Sequence, residues 1–128
     1  MPHNFRNPVG WFEIYVQDIP RAVKFYEAVF ATRLQKLDSP TVGLEMWAFP
    51  MQEHGKGAIG ALVKMDGCPS GGGGTRVYFS CVDCAVESKR AQANGGQLVR
   101  EKFSIGNYGF IAFVNDSEGN TIGLHSTV

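Results

Sequence analysis

The sequence lacks any surplus of one charge. Among its 128 residues, twelve lysines and arginines balance twelve aspartates and glutamates, for a formal net charge of zero. Neither sign clusters along the chain, so it carries neither the basic footprint of a nucleic-acid-binding protein nor a polybasic segment for a membrane surface. Composition therefore argues against nucleic acid and membrane as partners.

Long apolar runs and cysteines are also scarce. No stretch approaches the roughly 20 apolar residues of a membrane-spanning helix. The first residues have neither the charged start nor the apolar core of a secretory signal. Three cysteines, Cys68, Cys81 and Cys84, are too few for a disulfide framework. We therefore expect one cytoplasmic domain, residues 1–128, that folds without disulfides or structural metal.

Element order and spacing repeat within the chain. WFEIYVQDIPRAVKFYEAVF is followed 66 residues later by another β-rich run, a turn with aspartate and a helix-like stretch. Two later pairs of strand-like segments recur 66 and 63 residues apart. The paired segments begin at Trp11 and Val77, Gly43 and Gly109, and Ile59 and Ile122. Such a recurrence predicts a duplication, with modules at about 8–66 and 75–127 joined by the Gly-rich linker 67–74.

Each half is typical of one strand, one helix and three further strands. Phe12 and Ile14 alternate with polar or aromatic residues, as in a strand with two different faces. Asp18 suits the helix N-cap and Pro20 its first turn, whereas Asn94 and two glycines end the second helix. The other predicted strands cover 34–37, 43–49, 58–64, 77–82, 98–102, 110–114 and 121–125. The prediction is an α+β fold of two βαβββ modules.

Two segments carry a family resemblance. VQDIPRAVKFYEAVF resembles the opening strand and helix of the glyoxalase/bleomycin resistance/dioxygenase (vicinal oxygen chelate) superfamily, and GFIAFVNDSEGNTIGLHS resembles its closing hairpin. The resemblance implies two pseudo-symmetric modules forming a curved, cup-like open barrel that holds a small molecule, and a homodimer. The superfamily includes metal-dependent enzymes as well as drug-sequestering proteins.

The resemblance also implies where a metal would bind. The family's ligands lie in the first and last strands of each half, which here correspond to Trp11, Gly60, Val77 and Gly123. None of these side chains offers the imidazole, carboxylate or thiolate donor that a divalent cation needs. We therefore predict a site with no metal and no cofactor.

Strand alternation predicts which side chains line the cup, if Phe12 and Ile14 pack on the helices. A planar, aromatic ligand would then fit between Trp11 and Trp47. Three residues are candidates for acid–base chemistry: Glu13, Glu45 and His125. The predicted ligand-binding residues are Trp11, Tyr15, Trp47, Phe49, Gly60, Val77, Phe79, Phe113 and Gly123.

Several functions remain open at this stage. The favoured one is a binding module for a small molecule, because the predicted cup is largely apolar. The alternative is a metal-independent or atypical-metal lyase or isomerase that uses Glu13, Glu45 or His125, and a third is an interaction role. Each residue also has a structural interpretation: core packing for the tryptophans, a solvated rim for the glutamates and a surface position for His125. Cys81 and Cys84 have CxxC spacing without a second pair, which favours a structural role.

Overall fold

The computed structural model describes residues 6–39 and 41–128. Eight strands and two α helices form two compact units. The first unit comprises Trp11–Arg76, and the second comprises Val77–Val128 together with residues 6–10. The order β-α-β-β-β occurs twice, which confirms the α+β class and the duplicated arrangement. The single-domain assignment and the module boundaries stay predictions.

The first unit holds a four-stranded mixed sheet and one helix. Its strands are arranged in the order β2-β3-β4-β1, with β1 parallel to β4 and the other neighbours antiparallel. Strand β1 begins two residues before the unit does. The elements are β1 (Val9–Tyr15), α1 (Ile19–Phe30), β2 (Gln35–Leu37), β3 (Leu44–Ala48) and β4 (Ile59–Met65).

Helix α1 begins and packs as its sequence predicts. The Asp18 carboxylate accepts a hydrogen bond from the backbone N–H of Arg21 at 3.0 Å, which satisfies one of the free donors of the first turn. The Tyr26 ring meets the Phe49 ring edge-on at 5.5 Å, and Phe49 lies 5.6 Å from Phe12. Helix α1 therefore covers the side of the sheet on which Phe12 lies.

The second unit repeats this plan. Its strand order is β5-β8-β7-β6, with β5 parallel to β8 and the remaining pairs antiparallel. Helix α2 packs on the sheet through a buried cluster of Cys84, Ala112, Val114 and Leu124. In the described part of the chain, neither α helix is long and apolar enough to span a membrane. The elements are β5 (Thr75–Ser80), α2 (Cys84–Ala93), β6 (Gln97–Ser104), a short 3-10 helix (Gly106–Tyr108), β7 (Phe110–Asn115) and β8 (Thr121–Ser126).

The N-cap of α2 makes stability depend on pH. Hydrogen bonds from Lys102 Nζ at 2.9 Å and from the backbone N–H of Ala85 at 3.0 Å hold the pKa of Asp83 below its usual value. A carboxylate with a lower pKa in the folded chain stabilises it above the unfolded pKa of about 4 and loses this effect as pH falls through the folded pKa. Asp83→Asn keeps a good cap but removes the charge. We expect the variant to have a lower free energy of unfolding than the wild type at pH 7, and the difference to shrink towards pH 2.

Urea unfolding at pH 7 and at low pH measures this effect. Lys102→Gln should show the same convergence with the wild type at low pH, because it removes the main hydrogen bond from the other side. Lys56→Gln in an exposed loop is the control for the loss of one positive charge. A constant difference between Asp83→Asn and the wild type across this range would contradict the assignment.

Candidate functional site

The sheet of the first unit has a helix side and a helix-free side. Residues that pair directly across neighbouring strands point to the same side. Phe12 pairs with Gly60, and Ile14 pairs with Leu62, so these residues lie on the helix side. The alternate residues of β1 lie on the other side, which we call the helix-free face of the first unit. Its members include Trp11, Glu13, Tyr15, Met46, Ala48, Ala61 and Val63.

A carboxylate held by two aromatic side chains marks this face. Trp11 Nε1 donates a hydrogen bond to one Glu13 oxygen at 3.1 Å, and the Tyr15 hydroxyl donates to the other at 2.9 Å. All three come from alternate positions of β1, so the strand itself brings them to one side. Both carboxylate oxygens thus have a fixed direction, and each retains a further lone pair that can accept from a ligand.

Tyr15 supports this cluster from below. It is 5% exposed and belongs to a core cluster with Ala48, Ala61 and Val63. Burial, and then the negative charge of Glu13, raise the pKa of Tyr15 well above its ordinary value. The hydroxyl therefore stays protonated and remains a donor to Glu13. The Arg76 guanidinium lies 5.3 Å from the centre of the Tyr15 ring, which places a positive charge beside the cluster.

Four predicted site residues lie on the opposite side of this sheet. Trp47 pairs with Leu62 and Glu45 pairs with Lys64, so both are on the helix side, as are Phe49 and Gly60. The prediction that Glu45, Trp47, Phe49 and Gly60 share one inner surface with Trp11, Glu13 and Tyr15 is therefore wrong. A planar ligand cannot sit between Trp11 and Trp47, because the sheet separates them.

The second unit divides in the same way. Phe113 and Tyr78 both pair with Gly123, and Ile111 pairs with His125, so all of them lie on the side away from α2. Here Tyr78 meets Phe113 edge-on at 5.9 Å, and the His125 ring nitrogen Nε2 donates to the Tyr108 carbonyl. This is the helix-free face of the second unit, and it includes the predicted residues Phe113, Gly123 and His125.

Strand β5 is turned over relative to the sequence prediction. Phe79 pairs with Leu124 and packs with Cys84 at the start of α2. Val77 lies on the same side by alternation, so the prediction that Val77 and Phe79 face inward is wrong. The residues of β5 on the other side are Arg76, Tyr78 and Ser80.

The error has one cause, a repeat offset that is one residue too long. The helix N-caps Asp18 and Asp83 are 65 positions apart, not 66. Shifting a strand by one residue moves every side chain to the other face. Aligning the sequence on these two caps would have found the correct side of β5, and with it Arg76 and Tyr78. Arg100, whose guanidinium lies 3.5 Å from the Phe103 ring centre, gave no signal because irregular pairing interrupts β6.

The residues present do not fit the metal ligand set that the resemblance implies. With the corrected offset, the positions equivalent to Trp11 and Gly123 are Arg76 and Ala61. Indole and guanidinium groups are donors only, and the other two positions carry no lone pair. A Cβ at Gly60 would come within 2.6 Å of the Phe12 ring, and one at Gly123 within 2.7 Å of the Tyr78 ring. Within residues 6–39 and 41–128, no three His, Cys, Asp or Glu side chains are grouped so that they could hold a metal.

The CxxC segment is buried rather than reactive. Cys84 is completely buried at the start of α2, and Cys81 donates from its sulfur to the Phe79 carbonyl at 3.5 Å. Burial, followed by the charge of Glu87, raises the pKa of the Cys81 thiol to about 12. Because the thiolate is the nucleophile, this residue is inert at neutral pH.

A family model covers nearly all of the chain. The model of the Glyoxalase/Bleomycin resistance protein/Dioxygenase superfamily matches residues 9–124. The chain belongs to this superfamily. Membership confirms the resemblance that the opening and closing segments indicate. None of the curated proteins compared with the chain matches it.

Solved structures share this superfamily fold. A methylmalonyl-CoA epimerase from Mycobacterium tuberculosis has a TM-score of 0.68 at 18% identity, with 94% of this chain and 88% of that chain covered. A hypothetical protein from Bacillus halodurans gives 0.68 at 15% identity, with 92% of each covered. A Streptomyces coelicolor methylmalonyl-CoA epimerase in complex with 2-nitronate-propionyl-CoA gives 0.65 at 15% identity, covering 94% of each. At these identities the likeness shows the fold alone.

Proposed function

We propose that this superfamily member binds a small planar molecule on the helix-free face of its first unit, without a metal. The observation that supports this function best is the Glu13 carboxylate, which Trp11 and Tyr15 hold in a fixed orientation. A few convergent polar groups among apolar side chains are typical of small-molecule sites. The two engaged oxygens of Glu13 favour a ligand that donates a hydrogen bond from its planar ring system.

The two tryptophans make this proposal testable, because one lies on each side of the same sheet. Trp47→Phe leaves Trp11 as the single tryptophan and therefore as the reporter of the helix-free face. We expect 4-nitroaniline, a planar quencher with an N–H donor, to reduce Trp11 emission with a saturable dependence on concentration. N,N-Dimethyl-4-nitroaniline, which lacks the donor, should bind more weakly. Glu13→Gln should weaken 4-nitroaniline binding by about tenfold, since a hydrogen bond to a charged group is worth about 1.5–3 kcal/mol.

Glu53→Gln, in an exposed loop, is the matched control and should leave the titration unchanged. Equal affinity for the two anilines, or no effect of Glu13→Gln, would contradict a donor-specific site at Glu13. Native mass spectrometry of the purified protein reports a co-purified ligand and the expected homodimer in one experiment. The cytoplasmic location and the absence of nucleic-acid partners form part of the same proposal.

An enzymatic alternative rests on the same carboxylate. An oriented Glu13 is also suited to moving a proton at a carbon acid, and two of the similar folds are named methylmalonyl-CoA epimerases. This alternative predicts that Glu13→Gln abolishes exchange of a substrate C–H proton with deuterated solvent while binding persists. Methylmalonyl-CoA is the first substrate to incubate, with NMR as the readout. Bound but unchanged ester would favour the binding function.

A further inference from the structure

A second concave surface lies on the helix side of the first unit, away from Glu13. It is an open groove of about 1070 Å³ between α1 and the strands β3 and β4. Its floor includes the half-buried Trp47, and Val23 and Ala28 of α1 form part of the wall. The size suits a small organic ligand, because such pockets commonly measure about 300–1,000 Å³. Nothing in the proposed function uses this groove.

The carboxylates that border the groove are already engaged within the chain. Asp18 caps α1 through the N–H of Arg21. Glu27 accepts the backbone N–H of Leu34 at 2.8 Å, and Glu45 accepts Trp47 Nε1 at 2.9 Å. The last of these bonds also fixes the plane of the indole ring. The groove thus presents a preorganised aromatic surface whose acidic neighbours have structural duties.

The basic side chains of the groove are differently placed. Lys24, Arg33 and Lys64 are exposed and line it. Lys64 faces Glu45 directly across the β3–β4 pair, which offsets its charge. In the part of the chain that the structure describes, Lys24 and Arg33 form no ion pair. These two cations therefore give the groove a charge that an anionic ligand would complement.

We propose that this groove is a second binding site, which takes a planar aromatic anion. The ring lies on the indole of Trp47, and the phosphate or carboxylate group lies between Lys24 and Arg33. Aromatic stacking contributes regardless of the exact ring, and guanidinium groups bind both kinds of oxyanion. The site is separate from the helix-free face, because the sheet lies between them. It does not depend on the function proposed for Glu13.

Trp11→Phe is the variant that isolates this groove, since Trp47 is then the single tryptophan. We expect AMP, with excitation at the red edge of the indole band, to quench Trp47 emission saturably, and adenosine to do so at least tenfold more weakly. 4-Nitrobenzoate and neutral 4-nitrobenzamide form the carboxylate pair, and comparison with AMP shows which oxyanion is preferred. Lys24→Gln combined with Arg33→Gln should weaken the charged probes about tenfold and leave the neutral probes unchanged.

Two controls decide the result. Trp47→Phe, which retains Trp11, should show no quenching by AMP, and calorimetry of AMP with the wild-type protein gives affinity without a fluorescent reporter. Lys56→Gln with Arg6→Gln is the matched double charge removal outside the groove. Equal affinity for AMP and adenosine and for the nitrobenzoate pair, or equal quenching of Trp11 and Trp47, would overturn the proposal. The proposed function would survive that outcome, because its reporter and its probes address the other side of the sheet.

Discussion

Replacing Leu62 by alanine is expected to lower the free energy of unfolding by about 3 kcal/mol, within the range of about 2–5 kcal/mol for such a change in a core. Leu62 is fully buried in the middle of β4, where it pairs with Ile14 and Trp47 on the helix side of the sheet. Removing its side chain leaves a cavity that helix α1 and two strands can only partly fill. For a domain of this size the loss is a large share of the total stability.

Urea unfolding of the purified variant measures the change. Val42→Ala is the control, because Val42 is completely exposed in the loop before β3 and should unfold like the wild type. An effect below about 1 kcal/mol for Leu62→Ala would mean that β4 does not form the buried centre of the first unit. Trp47 emission follows the same transition, since its strand packs directly on β4.

Adding one methyl group at Gly60 is expected to lower the free energy of unfolding by about 2 kcal/mol. An added Cβ would come within 2.6 Å of the Phe12 ring and closer still to the Phe12 carbonyl oxygen. The ring can turn only by disturbing Phe49, which it contacts at 5.6 Å, and the carbonyl belongs to the backbone. Overpacking of this kind costs about 1–3 kcal/mol. Glycine is thus needed at this position for packing, and no metal-binding side chain fits there.

Gly72→Ala provides the matched comparison for Gly60→Ala. Its added Cβ would meet nothing within 4 Å, so the free energy of unfolding should stay within about 0.5 kcal/mol of the wild type. Chemical denaturation of both variants under one condition is sufficient. Equal stability of Gly60→Ala and Gly72→Ala would show that Phe12 does not cover position 60, and the assignment of faces in the first unit would need revision.

Strong local signals made the elements predictable. Asp18 and Asp83 cap the two helices as their positions indicate, and each helix ends where the sequence changes to turn residues. The last hairpin forms around its polar turn, where the Asp116 carboxylate accepts the backbone N–H of Glu118 at 2.8 Å. These features depend on residues close together in the chain, so the sequence contains all the information needed.

The candidate site was only partly predictable. Trp11, Glu13 and Tyr15 lie together because they alternate along one strand, and alternation follows from the extended backbone alone. Glu45 and Trp47 were assigned to the wrong side because β3 is apolar or aromatic on both sides. A period of two identifies such a strand without showing which of its faces meets the helix.

The sequence by itself determined the element order, the helix caps, the duplication and the superfamily, because each depends on local geometry or on a pattern along the chain. Only the tertiary structure decided which face of each strand meets a helix. In the first unit, that choice is made by Tyr26 packing on Phe49 and Phe49 on Phe12. These contacts join three separate elements. A shift of one residue between strands exchanges the two faces completely, so the positions of the functional side chains follow from packing and not from alternation alone.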